Sequence, residues 1–133
     1  MQEKQEFIAI SKEIIDNAIN VLGKPNFENE LERQLLGAFI FGIINGGAYE
    51  IETTPAEVQG LMIATLINTL KYSPQQATAF CQHLIDCTNV EENSTVNAII
   101  HRGVEGYYQL KEQNKEAFKR NYNEIIELVA EDM

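Results

Sequence analysis

The side chains best suited to chemistry are gathered in "HRGVEGYY", His101 to Tyr108. At helical spacing His101 and Glu105 stand one turn apart, Arg102 reaches Glu105 from three residues away, and Tyr108 follows His101 by seven, so one flank carries an imidazole, a carboxylate and a phenol. Such a set suits proton transfer. An enzyme would also need a nucleophile, a metal-ligand spacing or a second histidine at a useful offset. None accompanies the cluster, and His83 falls in another segment with no ligand-like neighbours. The plainer reading is a salt-bridged helix surface beside tyrosines at the edge of a core. Arg102 has a second expected role, pairing across helices with Glu50 or Glu52 to fix register. A small-ligand or enzymatic site would require a concave pocket that holds His101, Glu105 and a tyrosine together.

Other candidate sites are weaker still. Glu91–Glu92 and Glu50/Glu52 are paired carboxylates, but their spacing matches neither a calcium loop nor a helical di-metal motif, and solvated charge is the expected role. Cys81 and Cys87 are six apart on one expected helix, about 240° around its axis and about 9 Å along it, too badly placed to bridge each other. They read as reduced thiols in or near the core, with spacing unlike a zinc site. No cofactor and no metal is implied.

These residues must be positioned by helices. Phe7, Ser11, Ile14, Ile15, Ala18 and Leu22 recur at three- and four-residue steps, and Gly23 with Pro25 ends that segment. Asn26 is the expected cap of a second helix, with Glu28 and Glu30 near its positive end. The second helix contains "LLGAFIFGIINGGAYE", apolar nearly all round, and reads as the central buried element. Its glycines Gly37, Gly42 and Gly46 trace a strip along which a partner helix can approach, at a cost of up to about 1 kcal/mol each relative to alanine. A nucleotide-binding glycine loop would need a preceding strand and the fingerprint spacing, and the segment has neither. The rival to close packing is a kink or break at Gly46–Gly47.

Two start signals repeat the same chemistry. Thr54, Pro55 and Glu57 form one capping arrangement, and Ser73, Pro74 and Gln76 form the next. The third helix carries Val58, Leu61, Met62, Thr65, Leu66 and Leu70, the fourth Ala77, Phe80, Cys81, Leu84 and Thr88, and their short connection predicts an antiparallel hairpin. Val96, Ile99, Ile100, Gly103, Tyr107 and Leu110 mark a fifth helix. Phe118, Tyr122, Ile125, Ile126 and Val129 mark a sixth. Sustained strand alternation is absent, so the expected fold is all-α: a single domain over residues 1–133, about six helices bundled around the glycine-containing one.

Charge narrows the partners. The 133 residues carry 20 acidic and 10 basic side chains, a formal net charge of −10, which disfavours nucleic acid and anionic membranes. Between Arg33 and Arg102 the sole lysine or arginine is Lys71, against Glu50, Glu52, Glu57, Asp86, Glu91 and Glu92. If these acids share a face, the natural partner is basic; otherwise they serve solubility. The apolar run ends at Asn45 and Glu50, well short of the roughly 20 residues that span a bilayer. The N-terminus "MQEKQEFIAISKEI" lacks a secretory signal's apolar core, so a cytoplasmic location is expected.

The segments "LERQLLGAFIFGIINGGAYE", "TPAEVQGLMIATLINTLKYSPQQATAFCQHLID" and "NAIIHRGVEGYYQL", in this order and with similar gaps, resemble a group of small bacterial proteins, immunity protein family 48 of polymorphic toxin systems. The likeness covers roughly Leu31 to Leu110. It implies an intracellular, mostly helical, non-enzymatic protein that binds and neutralises a cognate toxin domain, and it carries over no functional residues. The acidic balance suits a toxin with a basic groove. Expected contacts are Glu50, Glu52, Glu91, Glu92 and the flank of His101 and Arg102. The alternative is a helical homodimer serving as a regulatory or scaffold module, marked by a large apolar patch on the glycine-bearing or terminal helix.

Overall fold

A computed structural model describes residues 2–23, 29–51, 53–89 and 94–131. Six helices follow one another, α1 (Gln2–Leu22), α2 (Glu30–Glu50), α3 (Pro55–Asn68), α4 (Pro74–Asn89), α5 (Ser94–Lys111) and α6 (Lys115–Glu131), with no strand among the described residues. The fold is an all-α bundle.

Local chemistry explains most boundaries. Gly23 ends α1 in the left-handed conformation, φ 76°, which glycine adopts without steric cost. The cap of α2 is Asn29 and not Asn26: Asn29 has an extended backbone, and its Oδ1 accepts the N–H of Glu32 at 3.1 Å. Asn26 itself lies outside the described residues. Ser73 and Gln76 make a reciprocal capping box, Gln76 N–H to Ser73 Oγ at 3.1 Å and Ser73 N–H to Gln76 Oε1 at 3.3 Å. At α3 only half of the box forms. Thr54 Oγ1 accepts the Glu57 N–H at 3.2 Å, while the Glu57 carboxylate takes the hydroxyl of Thr53.

One hydrophobic core receives residues from all six helices. The helical run of α2 continues through Gly46–Gly47, so the helix does not break there. From Leu35 to Ile44 every residue of α2 is buried. Its tightest neighbour is α5, which packs along it for most of its length. The two backbones meet at Gly42 and Gly103: a Cβ added to Gly42 would fall 2.7 Å from the Gly103 Cα, and one added to Gly103 would fall 2.8 Å from the Gly42 Cα. Each would also collide with a carbonyl oxygen, that of Ile100 or of Phe39. Gly46 continues this seam by receiving Tyr107. Gly37 does not belong to it, because it faces the ring of Phe80 on α4.

The far side of α2 meets α3, and α3 and α4 form the expected hairpin. On α4 the buried position is Cys87, whereas Thr88 is exposed, so the inward stripe is Ala77, Cys81, Leu84 and Cys87. Arg33 clamps the hairpin turn to α2, with its guanidinium 3.9 Å from the centre of the Tyr72 ring and one nitrogen 3.4 Å from the Leu70 carbonyl oxygen. On the opposite side Phe39 packs against Phe118 and Tyr122 of α6, with ring centres 5.5 and 5.3 Å apart.

Candidate functional site

The α5 flank is a structural joint in its visible contacts. His101 and Glu105 are exposed, and Tyr108 stacks edge-on against Tyr107. Arg102 turns toward α6: one guanidinium nitrogen lies 3.1 Å from the Glu124 carboxylate, and the other lies 3.3 Å from Asn121 Oδ1 and 4.0 Å from Glu105. The buried Asn121 answers by donating to the Arg102 carbonyl oxygen at 2.9 Å and to Gln109 Oε1 at 3.1 Å. The pairing of Arg102 with Glu50 is therefore corrected, since Arg102 is occupied by α6. His101, Glu105 and Tyr108 line none of the clefts described below.

Glu50, at the end of α2, is held by the Lys111 ammonium and by the Tyr107 hydroxyl, which donates at 2.9 Å. The hydrogen bond from Lys111, and then that from Tyr107, hold the Glu50 carboxyl below its ordinary value. Burial, reinforced by Glu50, pushes the Tyr107 phenol up to about 12. Sequence reading missed this trio because Glu50 lies about sixty positions from Tyr107 and Lys111. Glu52, Glu91 and Glu92 lie outside the described residues.

Both cysteines are free and buried. Burial raises the Cys81 thiol to about 11, and burial followed by the charge of Asp86 raises Cys87. His83 does have a neighbour, contrary to expectation, since its Nε2 lies 3.7 Å from Cys87 Sγ, one helical turn away. A protonated, buried thiol is a poor nucleophile. Among the described residues no group of three His, Cys, Asp or Glu side chains could hold a metal ion.

Clefts interrupt the described surface. A mixed-charge depression of about 580 Å³ runs along α6 beside Glu116, Arg120 and Glu127. A second, of about 400 Å³, lies between α2, α4 and α5 over Leu35, Leu84 and Ile99, with His83 on its lining. The third, of about 630 Å³, opens between the C-terminal half of α2, the first turns of α3 and the last turns of α4. Phe41 and Val58, both buried, and the half-buried Ile85 supply its apolar surface, with Asn45, Gln59 and Gln82 as polar lining. Among its described lining residues there is no carboxylate, imidazole, amine or thiol. Tyr49 stands on its edge 75% exposed.

The family model for Immunity protein 48 matches residues 7–130, and the chain belongs to that family. No curated protein and no solved structure matches the chain significantly. Among the described residues no helix is long and apolar enough to cross a membrane.

Proposed function

We propose that this chain acts in the cytoplasm as a non-enzymatic immunity protein of a polymorphic toxin system, binding a cognate toxin domain and blocking it by surface complementarity. The carrying observation is the family match over residues 7–130. The formal charge of −10 supports a basic partner, which long-range attraction would bring to this surface faster than diffusion of neutral partners allows. Proposed contacts are Glu50 with Glu52, Glu91 and Glu92, which are near it or near the end of α4 in the sequence, together with the His101 and Arg102 flank. The chain as one domain, free of cofactor and metal, completes this reading.

The test is a pull-down with the tagged full chain from its host, followed by co-expression of any retained domain with and without the chain. The expected result is stoichiometric recovery of the C-terminal fragment of a large secreted protein, whose toxicity this chain abolishes. Recovery of the chain alone, with candidate toxins shown to be expressed, would overturn the reading in favour of a homodimeric module.

A further inference from the structure

The cleft between α2, α3 and α4 combines three features. Its base is apolar, through Phe41, Val58 and Ile85. Its edge carries Tyr49, the most exposed of the large hydrophobic side chains among the described residues, standing out from the surface where it could enter a partner. Its surroundings are negative: Glu57 and Asp86, on the two helices that form one wall, accept hydrogen bonds from Thr53 and Gln82, and neither has a cationic partner among the described residues. Of the cations on the flanking elements, Lys71 sits at the far turn of the hairpin, about 20 Å from Pro55 by the rise of α3, with its ammonium bonded to the Asn68 carbonyl oxygen, and Lys111, on the side of Tyr49, is paired with Glu50.

An aromatic ring beside an apolar recess is the arrangement that concentrates binding energy in protein interfaces, while uncompensated charge around it selects the partner's sign. We propose that this cleft is the docking surface for the toxin domain, which inserts an apolar side chain over Phe41, Val58 and Ile85, receives Tyr49 in a recess of its own, and surrounds that anchor with lysine or arginine. The inference rests on the immunity reading. It adds the face, the anchor and the chemistry of the partner's contact.

The experiment measures the affinity of the full-length chain for the purified toxin domain recovered in the pull-down, by titration calorimetry, for the unaltered protein and for Tyr49→Ala, Gln82→Arg and Asn123→Ala. Tyr49 and Gln82 are exposed, and unchanged thermal unfolding of both variants establishes that their folds are intact. Expected are losses of about 30-fold or more for Tyr49→Ala and for Gln82→Arg, which places a cation where a basic partner must sit. Asn123→Ala, on α6, is expected to bind within about threefold of the unaltered protein, and association is expected to slow as salt is added.

Three outcomes overturn the inference. Unaltered affinity of the Tyr49 and Gln82 variants, with the unaltered chain still binding the domain, would place the contact elsewhere and leave the immunity reading standing. Self-association of the chain that Tyr49→Ala abolishes would assign the cleft to a second copy. Failure of the unaltered chain to bind any toxin domain would remove the immunity reading, and this inference with it.

Discussion

The two long faces of α2 are built on opposite principles. Toward α5 the helix presents Gly42 and Gly46, and the partner backbone comes so close that a single methyl group has no space. Toward α3 and α4 it presents Phe41, Asn45, Ala48 and Tyr49 around a cleft of about 630 Å³. Close packing makes the first face intolerant of any change in shape. The second is left open, and its polar groups are uncharged. Rigidity on one side therefore supports availability on the other, because a helix fixed by its backbone need not be held by the side chains that line the cleft.

Substitutions in the seam test this contrast most severely. Gly42→Ala should cost about 3 kcal/mol or more, since the added methyl meets the Ile100 carbonyl oxygen and the Gly103 Cα and neither is the end of a flexible side chain. Thermal unfolding followed by circular dichroism should show a fall of about 10 °C or more in Tm; an unchanged Tm would show that the helices can separate without loss. Asn121→Ala should cost about 2 kcal/mol in chemical denaturation, because it removes the buried amide that ties α6 to the Arg102 carbonyl oxygen at 2.9 Å and to Gln109 Oε1 at 3.1 Å. A negligible cost would mean that apolar packing and the Arg102–Glu124 pair hold α6 without it.

Gly60 sharpens the comparison from the other side. It lies in α3 beside the cleft residue Gln59, and a Cβ added there meets nothing within 4 Å. Gly60→Ala should therefore stabilise the protein by up to about 1 kcal/mol, the reverse of Gly42→Ala. The same chemical change thus takes opposite signs on two helices, and denaturant midpoints of the two variants read the difference directly.

The smallest expected effect concerns pH. Because the folded state holds the Glu50 carboxyl below its ordinary value, its contribution is present above that ordinary value and is lost as pH falls through the lowered one. Lys111→Met removes the chief cause, so the loss of stability on acidification should become shallower, through a small loss of stability near neutrality and little change at the acid end. An unchanged acid limb would assign the shift to Tyr107. For Tyr107 the sign is opposite: its stabilisation is intact below the ordinary phenol value and is lost as pH rises from there through about 12.

What could be read from the sequence was whatever is written within a few neighbouring residues. Ser73 and Gln76 specify a helix start because both halves of the box are three residues apart, and the α3–α4 hairpin follows from a connection too short for any other arrangement. Periodicity assigned Phe39, Leu66, Tyr107 and Phe118 to the interior correctly. It could not say which surfaces meet. Gly37 and Gly42 belong to one expected strip, yet five residues rotate them about 140° apart on a helix, enough to send Gly37 to Phe80 and Gly42 to Gly103. Arg102 was paired with the wrong helix for a similar reason, since Glu124 is local to it only in the folded chain. The cleft left no signature at all. Concavity comes from the separation of three helix axes, and Tyr49 looked like one aromatic residue at the polar end of an apolar run.

The meeting of Gly42 with Gly103 also bears on how such a protein can be diversified. The constraint lies in backbone atoms, the carbonyls of Phe39 and Ile100, and so does not depend on the identity of side chains displayed across α2, α3 and α4. Residues 49, 59 and 82 can consequently be varied together while the scaffold's inherited geometry stays unaltered. On the docking face proposed above, a lineage facing a changed adversary, or a laboratory library randomised at those three positions, would rekey the lock without rebuilding the door.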